Sequence, residues 1–136
     1  QTYLRDATGK KGRVRRRGVE GSIKSGGSFV YTHTIKERIS DTKRIEHERR
    51  ISSREYLKLL ETADPKRKAI TKTRTCFLWK NKYFELDGFI DPNKDLQLLE
   101  IELDSDDEKF ELPPFIEIDK EVTGDKSYTN SYLAKK

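Results

Sequence analysis

Residues 82–103 read Lys-Tyr-Phe-Glu-Leu-Asp-Gly-Phe-Ile-Asp-Pro-Asn-Lys-Asp-Leu-Gln-Leu-Leu-Glu-Ile-Glu-Leu. Two alternating runs flank a turn at Asp91-Pro92-Asn93, as two antiparallel strands joined by a short connection require. Residues two apart share a face of a strand. Glu85 and Asp87 therefore lie on one face, opposite Phe84 and Leu86. Glu100 and Glu102 share a face opposite Leu99, Ile101 and Leu103.

The same alternation extends outward in both directions. Ala69–Leu78, Lys82–Ile90 and Leu96–Leu103 are expected as strands, with Asn81 in a tight connection between the first two. Upstream, Arg13–Arg17, Ser28–Arg38 and Arg44–Ile51 read as three more, and Gln1–Leu4 adds a possible seventh. Gly21, Gly26 and Gly27 mark a loop, and Ser40-Asp41 a turn. One helix is clearly signalled: Ser52 with Glu55 makes a capping box, and Ile51 with Tyr56 has the spacing of a hydrophobic staple. Tyr56, Leu57 and Leu60 give it an apolar stripe over roughly ten residues, and Asp64-Pro65 stops it. Pro113-Pro114 marks a rigid extended segment. Gly124-Asp125 is expected to cap a short last helix around Ser127–Ala134. The pattern describes an α+β domain built around one antiparallel sheet or barrel with short flanking helices.

Of the 136 residues, 39% are charged and 32% hydrophobic, with 13 aromatics, too many for a disordered chain. No stretch approaches the ~20 apolar residues that cross a bilayer. A single cysteine, Cys76, excludes an internal disulfide and a cysteine-built zinc site, and favours a reducing, cytoplasmic setting. The net charge of +5 is unevenly spread. Residues 1–50 hold 14 basic and 6 acidic residues, and residues 51–136 hold 15 and 18. Arg13, Arg15 and Arg17 are in phase, as are Thr32, Thr34, Lys36 and Arg38, and Lys72 and Arg74. Arg44, Glu46, Glu48 and Arg50 share another face.

Two interpretations stay open on periodicity alone. Each charged face is the wet side of a sheet, or the faces line a barrel interior in which cations hold phosphate oxygens and carboxylates hold a divalent metal. Paired carboxylates at i, i+2 suit Mg²⁺ or Mn²⁺. His33 and His47 are out of phase with the charged faces and read as packing residues. Cys76 reads as a buried structural thiol, Trp79 as a lid on its strand pair, and Asp104–Glu108 as a solvated loop. Nucleic acid is disfavoured as a partner, because acidic strands beside a basic groove repel the backbone.

In chain order, Gln1-Thr2-Tyr3-Leu4, Arg13-Val14-Arg15, Thr34-Ile35-Lys36, Arg44-Ile45-Glu46, Lys72-Thr73-Arg74, Phe84-Glu85-Leu86-Asp87, Leu99-Glu100-Ile101-Glu102-Leu103 and Lys120-Glu121-Val122-Thr123-Gly124-Asp125 resemble the CYTH domain. That is the fold of the triphosphate tunnel metalloenzymes. The segments Arg13–Gly18 and Tyr31–Lys36 look closer to the TRPL translocation defect protein family, in which a P-loop NTPase domain precedes the CYTH domain. The resemblance implies an eight-stranded antiparallel tunnel that binds a triphosphate, a nucleotide or another polyphosphate with Mg²⁺ or Mn²⁺.

Carried over, Arg13, Arg15, Lys36, Lys72 and Arg74 match phosphate-binding positions. Arg38, in phase with Lys36, joins them, and Lys126 falls at a basic position near the tunnel mouth. Glu100 and Glu102 match the metal-binding strand, and Glu46 and Glu48 further acidic positions for the metal. Glu85 and Asp87 match acidic positions that orient the attacking water. The family's Glu-x-Glu-x-Lys strand, which precedes Gln-x-Tyr-Leu, does not occur in residues 1–136, so the expectation is one CYTH-like domain in fragment form. Two functions follow: a metal-dependent triphosphatase, or a non-catalytic module that binds a nucleotide or phosphoinositide and regulates an attached P-loop NTPase domain.

Overall fold

The computed structural model describes residues 1–6, 10–20, 28–41 and 43–136. The glycine loop expected at Gly21, Gly26 and Gly27 lies outside the described residues. Seven strands are described, in two antiparallel sheets, β1–β4 and β5–β7. Among the described residues the strands form two hydrogen-bonded sheets and no closed barrel is found, so the eight-stranded tunnel is carried forward as an expectation. The chain divides into two compact units, 1–70 with 134–136 and 71–133.

In the first unit, β1 (Thr2–Tyr3), β2 (Lys10–Arg17), β3 (Val30–Arg38) and β4 (Arg44–Ile51) form a meander in sequence order. The register pairs Val14 with His33 and Arg49 with His33, placing these three on one face. Arg13, Thr34 and Glu48 pair on the other. Helix α1 (Ser53–Leu60) covers the first face. Its Ser52 hydroxyl accepts the Glu55 backbone N–H at 3.1 Å, which satisfies one of the unpaired donors of the first turn. The Glu55 carboxylate does not complete the box; it takes Arg49 Nη1 at 2.7 Å instead. Ser52→Ala should therefore cost about 1 kcal/mol, read from a urea midpoint.

Leu4, Val14 and Ile51 form the core beneath α1, with Tyr31, Tyr56, Leu59 and Leu60 packed against them. Tyr56 thus packs against the cluster that holds Ile51, the residue with which it has staple spacing. The helix covers only part of the sheet: β4 is exposed along its length until Ile51. Among the described residues β4 is also the outermost strand of its sheet, paired with β3 alone. Residues 134–136 run beside 66–68, with Lys68 N donating to the Ala134 carbonyl at 2.7 Å.

In the second unit, β5 (Thr71–Trp79), β6 (Lys82–Asp91) and β7 (Gln97–Ile101) form another meander with β6 in the centre. β5 and β6 join through Lys80 and Asn81, both at positive φ (46° and 62°), as a two-residue primed turn requires. Asn tolerates that region better than most residues. A bulge at Thr71/Lys72 shifts the register so that Lys72 pairs with Phe89. One face carries Phe77, Trp79 and Phe84; Phe77 and Phe84 stack at 5.2 Å between centroids, and Phe84 is fully buried. Phe115, from the irregular segment after β7, caps this face against Phe77 and Trp79. A loop aromatic, rather than a helix, covers the apolar side here. The last elements are a 3₁₀ turn at Lys126–Tyr128, capped by Asp125, and helix α2 (Asn130–Leu133).

Candidate functional site

The charged side of each sheet gathers most of the residues singled out in the sequence. On β2–β4, Arg13 Nη2 meets Glu46 Oε1 at 3.0 Å, and Lys36 Nζ lies 3.9 Å from the other oxygen of Glu46. Glu48 accepts the hydroxyl of Thr34 at 3.0 Å, and Thr34 is buried. Arg15 Nη2 donates to Gln1 Oε1 at 3.0 Å, and Gln1 Nε2 donates to the Tyr3 hydroxyl at 2.8 Å. Tyr3 faces this side because it pairs with Arg13 across the ladder. Burial pushes its phenol up, with Arg13 pulling the other way.

Arg13 keeps its Nε buried without a hydrogen-bond partner. An orphaned buried donor is a cost that a bound anion would remove. Arg38 lies further out, where it pairs with Asp41 at 2.5 Å across the turn and donates to the Ser40 carbonyl. Four of the residues expected to bind phosphate (Arg13, Arg15, Lys36 and Arg38) thus sit on one sheet, with Glu46 and Glu48 as the carboxylates named for that face.

The second sheet is arranged differently. Asp87, on central strand β6, is 2% exposed. It accepts Lys72 Nζ at 2.6 Å, Arg74 Nε at 2.7 Å and Arg74 Nη2 at 2.9 Å. Burial raises its carboxyl, but the hydrogen bonds and charge of Arg74 and Lys72 outweigh that and hold it below the usual carboxylate range. Arg74 is correspondingly held more firmly protonated, first by the bond to Asp87. Its Nη1 also pairs with Glu85. Lys72 Nζ reaches Asn130 Oδ1 of α2 at 3.3 Å and lies 5.3 Å from the Phe89 ring centre.

Glu85 stands directly across from Glu100 on β7. Like charges opposite one another destabilise a ladder, and a conflict of this kind marks a site where function overrides local preference. Glu85, Glu100, Ile101, Glu102 and Tyr83 line a cavity of about 290 Å³. Lys72 and Arg74 are balanced by Asp87 and Glu85, so Glu100 and Glu102 are negative charges that these two cations do not offset.

No group of three His, Cys, Asp or Glu among the described residues is arranged to hold a metal ion by itself. Glu100 and Glu102 do suit the Mg²⁺ habit of taking one or two carboxylates and completing its shell with water and phosphate oxygens. Glu46 and Glu48 are committed to Arg13 and Thr34. Lys126 is exposed, at the start of the 3₁₀ turn.

Three residues were not singled out in the sequence. Tyr83 shares parity with Glu85 and Asp87, which would have found it. Its phenol is pushed up to about 12, first by a hydrogen bond with Cys76. Tyr3 was legible only through its register with Arg13. Asn130 lies 58 residues from Lys72, and no spacing rule connects them. Cys76, expected as a buried thiol, is exposed; it shares the charged face with Arg74 and pairs with Glu85 across the ladder. His33 does pack on the helix side, where burial and then Arg49 push its imidazole down. Trp79 packs edge-on against Phe84, as a lid would.

Compared with curated proteins, the chain is similar to one named inorganic triphosphatase from Acetivibrio thermocellus. The two are 35% identical over 102 residues, covering 75% of this chain and 64% of that protein. The chain therefore spans a little under two thirds of that relative's length. No family model matches the chain, and no solved structure matches it. No helix among the described residues is long and apolar enough to cross a membrane.

Proposed function

We propose that this chain is a CYTH-type domain that binds an inorganic or nucleoside triphosphate and hydrolyses it with a divalent metal. The observation that carries this reading lies within the second sheet, where the exposed carboxylates Glu100 and Glu102 stand on the same face as Lys72 and Arg74, both oriented by Asp87. The first sheet, taken by itself, offers a cationic face of Arg13, Arg15, Lys36 and Arg38. Similarity to a protein named inorganic triphosphatase supports the superfamily assignment and a triphosphate as ligand.

Glu100 and Glu102 are the residues that would hold Mg²⁺ or Mn²⁺, whose charge would neutralise phosphate oxygens and offset these carboxylates. Phosphoryl transfer needs little covalent chemistry from the protein and depends on positioning and charge stabilisation. On the first sheet Arg13, Arg15 and Lys36 are the phosphate contacts, with Arg38 further out; in the second unit Lys126 is a further one. Lys72 and Arg74 meet the charge that develops in the transition state. Glu85 orients the attacking water and accepts its proton. Asp87, with its oxygens occupied by Lys72 and Arg74, serves by holding those two cations.

A second reading is a binding module for a nucleotide or phosphoinositide, regulating a P-loop NTPase domain of the same protein. It is favoured by the cationic sheet, which can hold an anion without the carboxylates of β7. Phosphate release from tripolyphosphate, GTP and ATP, with Mg²⁺ and with Mn²⁺, separates the two. Metal-dependent release is expected. Binding that is lost in Arg15→Ala and Lys36→Ala, with no release from any substrate, would select the binding module instead.

A further inference from the structure

The ammonium of Lys72 is held from two directions: Asp87 Oδ2 on the neighbouring strand at 2.6 Å, and Asn130 Oδ1 at the start of α2 at 3.3 Å. A lysine ammonium has three N–H donors and a flexible stem, so a single carboxylate fixes its distance but not its direction. The second acceptor supplies the direction. Asn130 is neutral, so it orients the ammonium without cancelling the charge that an anion would feel.

Helix α2 is itself tied down on the same sheet's connection, where Asn93 Nδ2 donates to the Leu133 carbonyl at 3.2 Å. Asn93 sits at positive φ in the β6–β7 turn, so the support of Lys72 runs through a turn and a helix rather than through the strand that carries it. From this geometry we infer that Asn130 is a positioning residue for polyphosphate binding, acting by aiming the Lys72 ammonium. The inference rests on the reading of Lys72 as a phosphate-binding residue. It adds that the C-terminal helix belongs to the site and does more than cover the sheet.

The test is a double-mutant cycle of Asn130→Ala and Lys72→Ala. Its readout is affinity for tripolyphosphate with Mg²⁺, as Kd from calorimetry and as KM where phosphate is released. Asn130→Ala should weaken affinity about tenfold, the scale of a lost hydrogen bond to a charged group, with a smaller change in kcat. In the Lys72→Ala background the same substitution should change affinity less than about twofold, because nothing is left to aim. A purely structural role, such as anchoring α2, would give the same loss in both backgrounds. Equal losses, or no loss in the wild-type background, overturn the inference and leave the proposed function standing. If the wild-type chain binds no tripolyphosphate, the functional reading falls and the inference with it. Melting temperatures of all four proteins show whether each remains folded, and the cycle stays readable if Asn130→Ala is mildly destabilised.

Discussion

Changing Glu100 and Glu102 together to Gln should abolish metal-dependent phosphate release, by a factor of at least about 10³, while the fold survives. Both side chains are exposed, and Glu100 faces Glu85 across the ladder. Neutralising them therefore removes a repulsion instead of leaving a buried charge unpaired. Melting temperature should stay level or rise slightly, in contrast with the collapse of turnover. That opposition of signs distinguishes a functional carboxylate pair from a structural one: residues that pay a stability cost in place are retained for what they bind. Phosphate release is followed at saturating tripolyphosphate with Mg²⁺ or Mn²⁺, and unfolding by circular dichroism. Turnover that persists in the double variant would remove these carboxylates from the metal site and place the activity elsewhere in the protein.

The second large effect is on stability. Asp87→Ala should destabilise the chain by about 3 kcal/mol, the lower end of the range for breaking a buried ion pair, since the Arg74 side chain is a third exposed. The loss comes from stranding two cations beneath the sheet surface, not from lost packing. The same pairing has a pH signature. The carboxyl of Asp87 is held below its usual range in the folded chain. Its contribution is therefore complete above the unfolded value of about 4 and is lost as pH falls through the lower folded value. Urea midpoints measured from pH 6 down to pH 2 should show wild type and Asp87→Ala converging as acid is added. Parallel curves with a constant gap would mean that the Asp87 pairing is not what the acid disrupts.

Much of this arrangement was legible in the chain because period-two alternation survives whatever the strands pair with. Arg44–Ile51 was bounded correctly, and the parity of Arg13 with Arg15, of Glu85 with Asp87 and of Glu100 with Glu102 placed each set on one face. Helix α1 was announced by Ser52, a side chain whose hydroxyl has one local backbone donor within reach. What alternation cannot carry is the identity of a partner across the ladder. Asp87 and Lys72 are in different strands, and only the bulge at Thr71/Lys72 and the register that follows it show which charges meet. For that reason Asp87 read as a water-orienting acid, whereas both its oxygens are taken by cations. The same limit hid Asn130 and made Cys76 look buried. The separation of the strands into two sheets was also invisible, since each strand's pattern is the same in a sheet or in a barrel.

Strand β4 has one further consequence. Its sequence, Arg44-Ile-Glu-His-Glu-Arg-Arg50, is exposed and, among the described residues, forms the outer edge of its sheet, where unpaired backbone groups could recruit another strand. Two copies laid edge to edge, antiparallel and centred on His47, would set Arg44 against Arg50 and Glu46 against Glu48. Every charged pair on that face would then be of like sign, so the strand's own charge pattern discourages its aggregation.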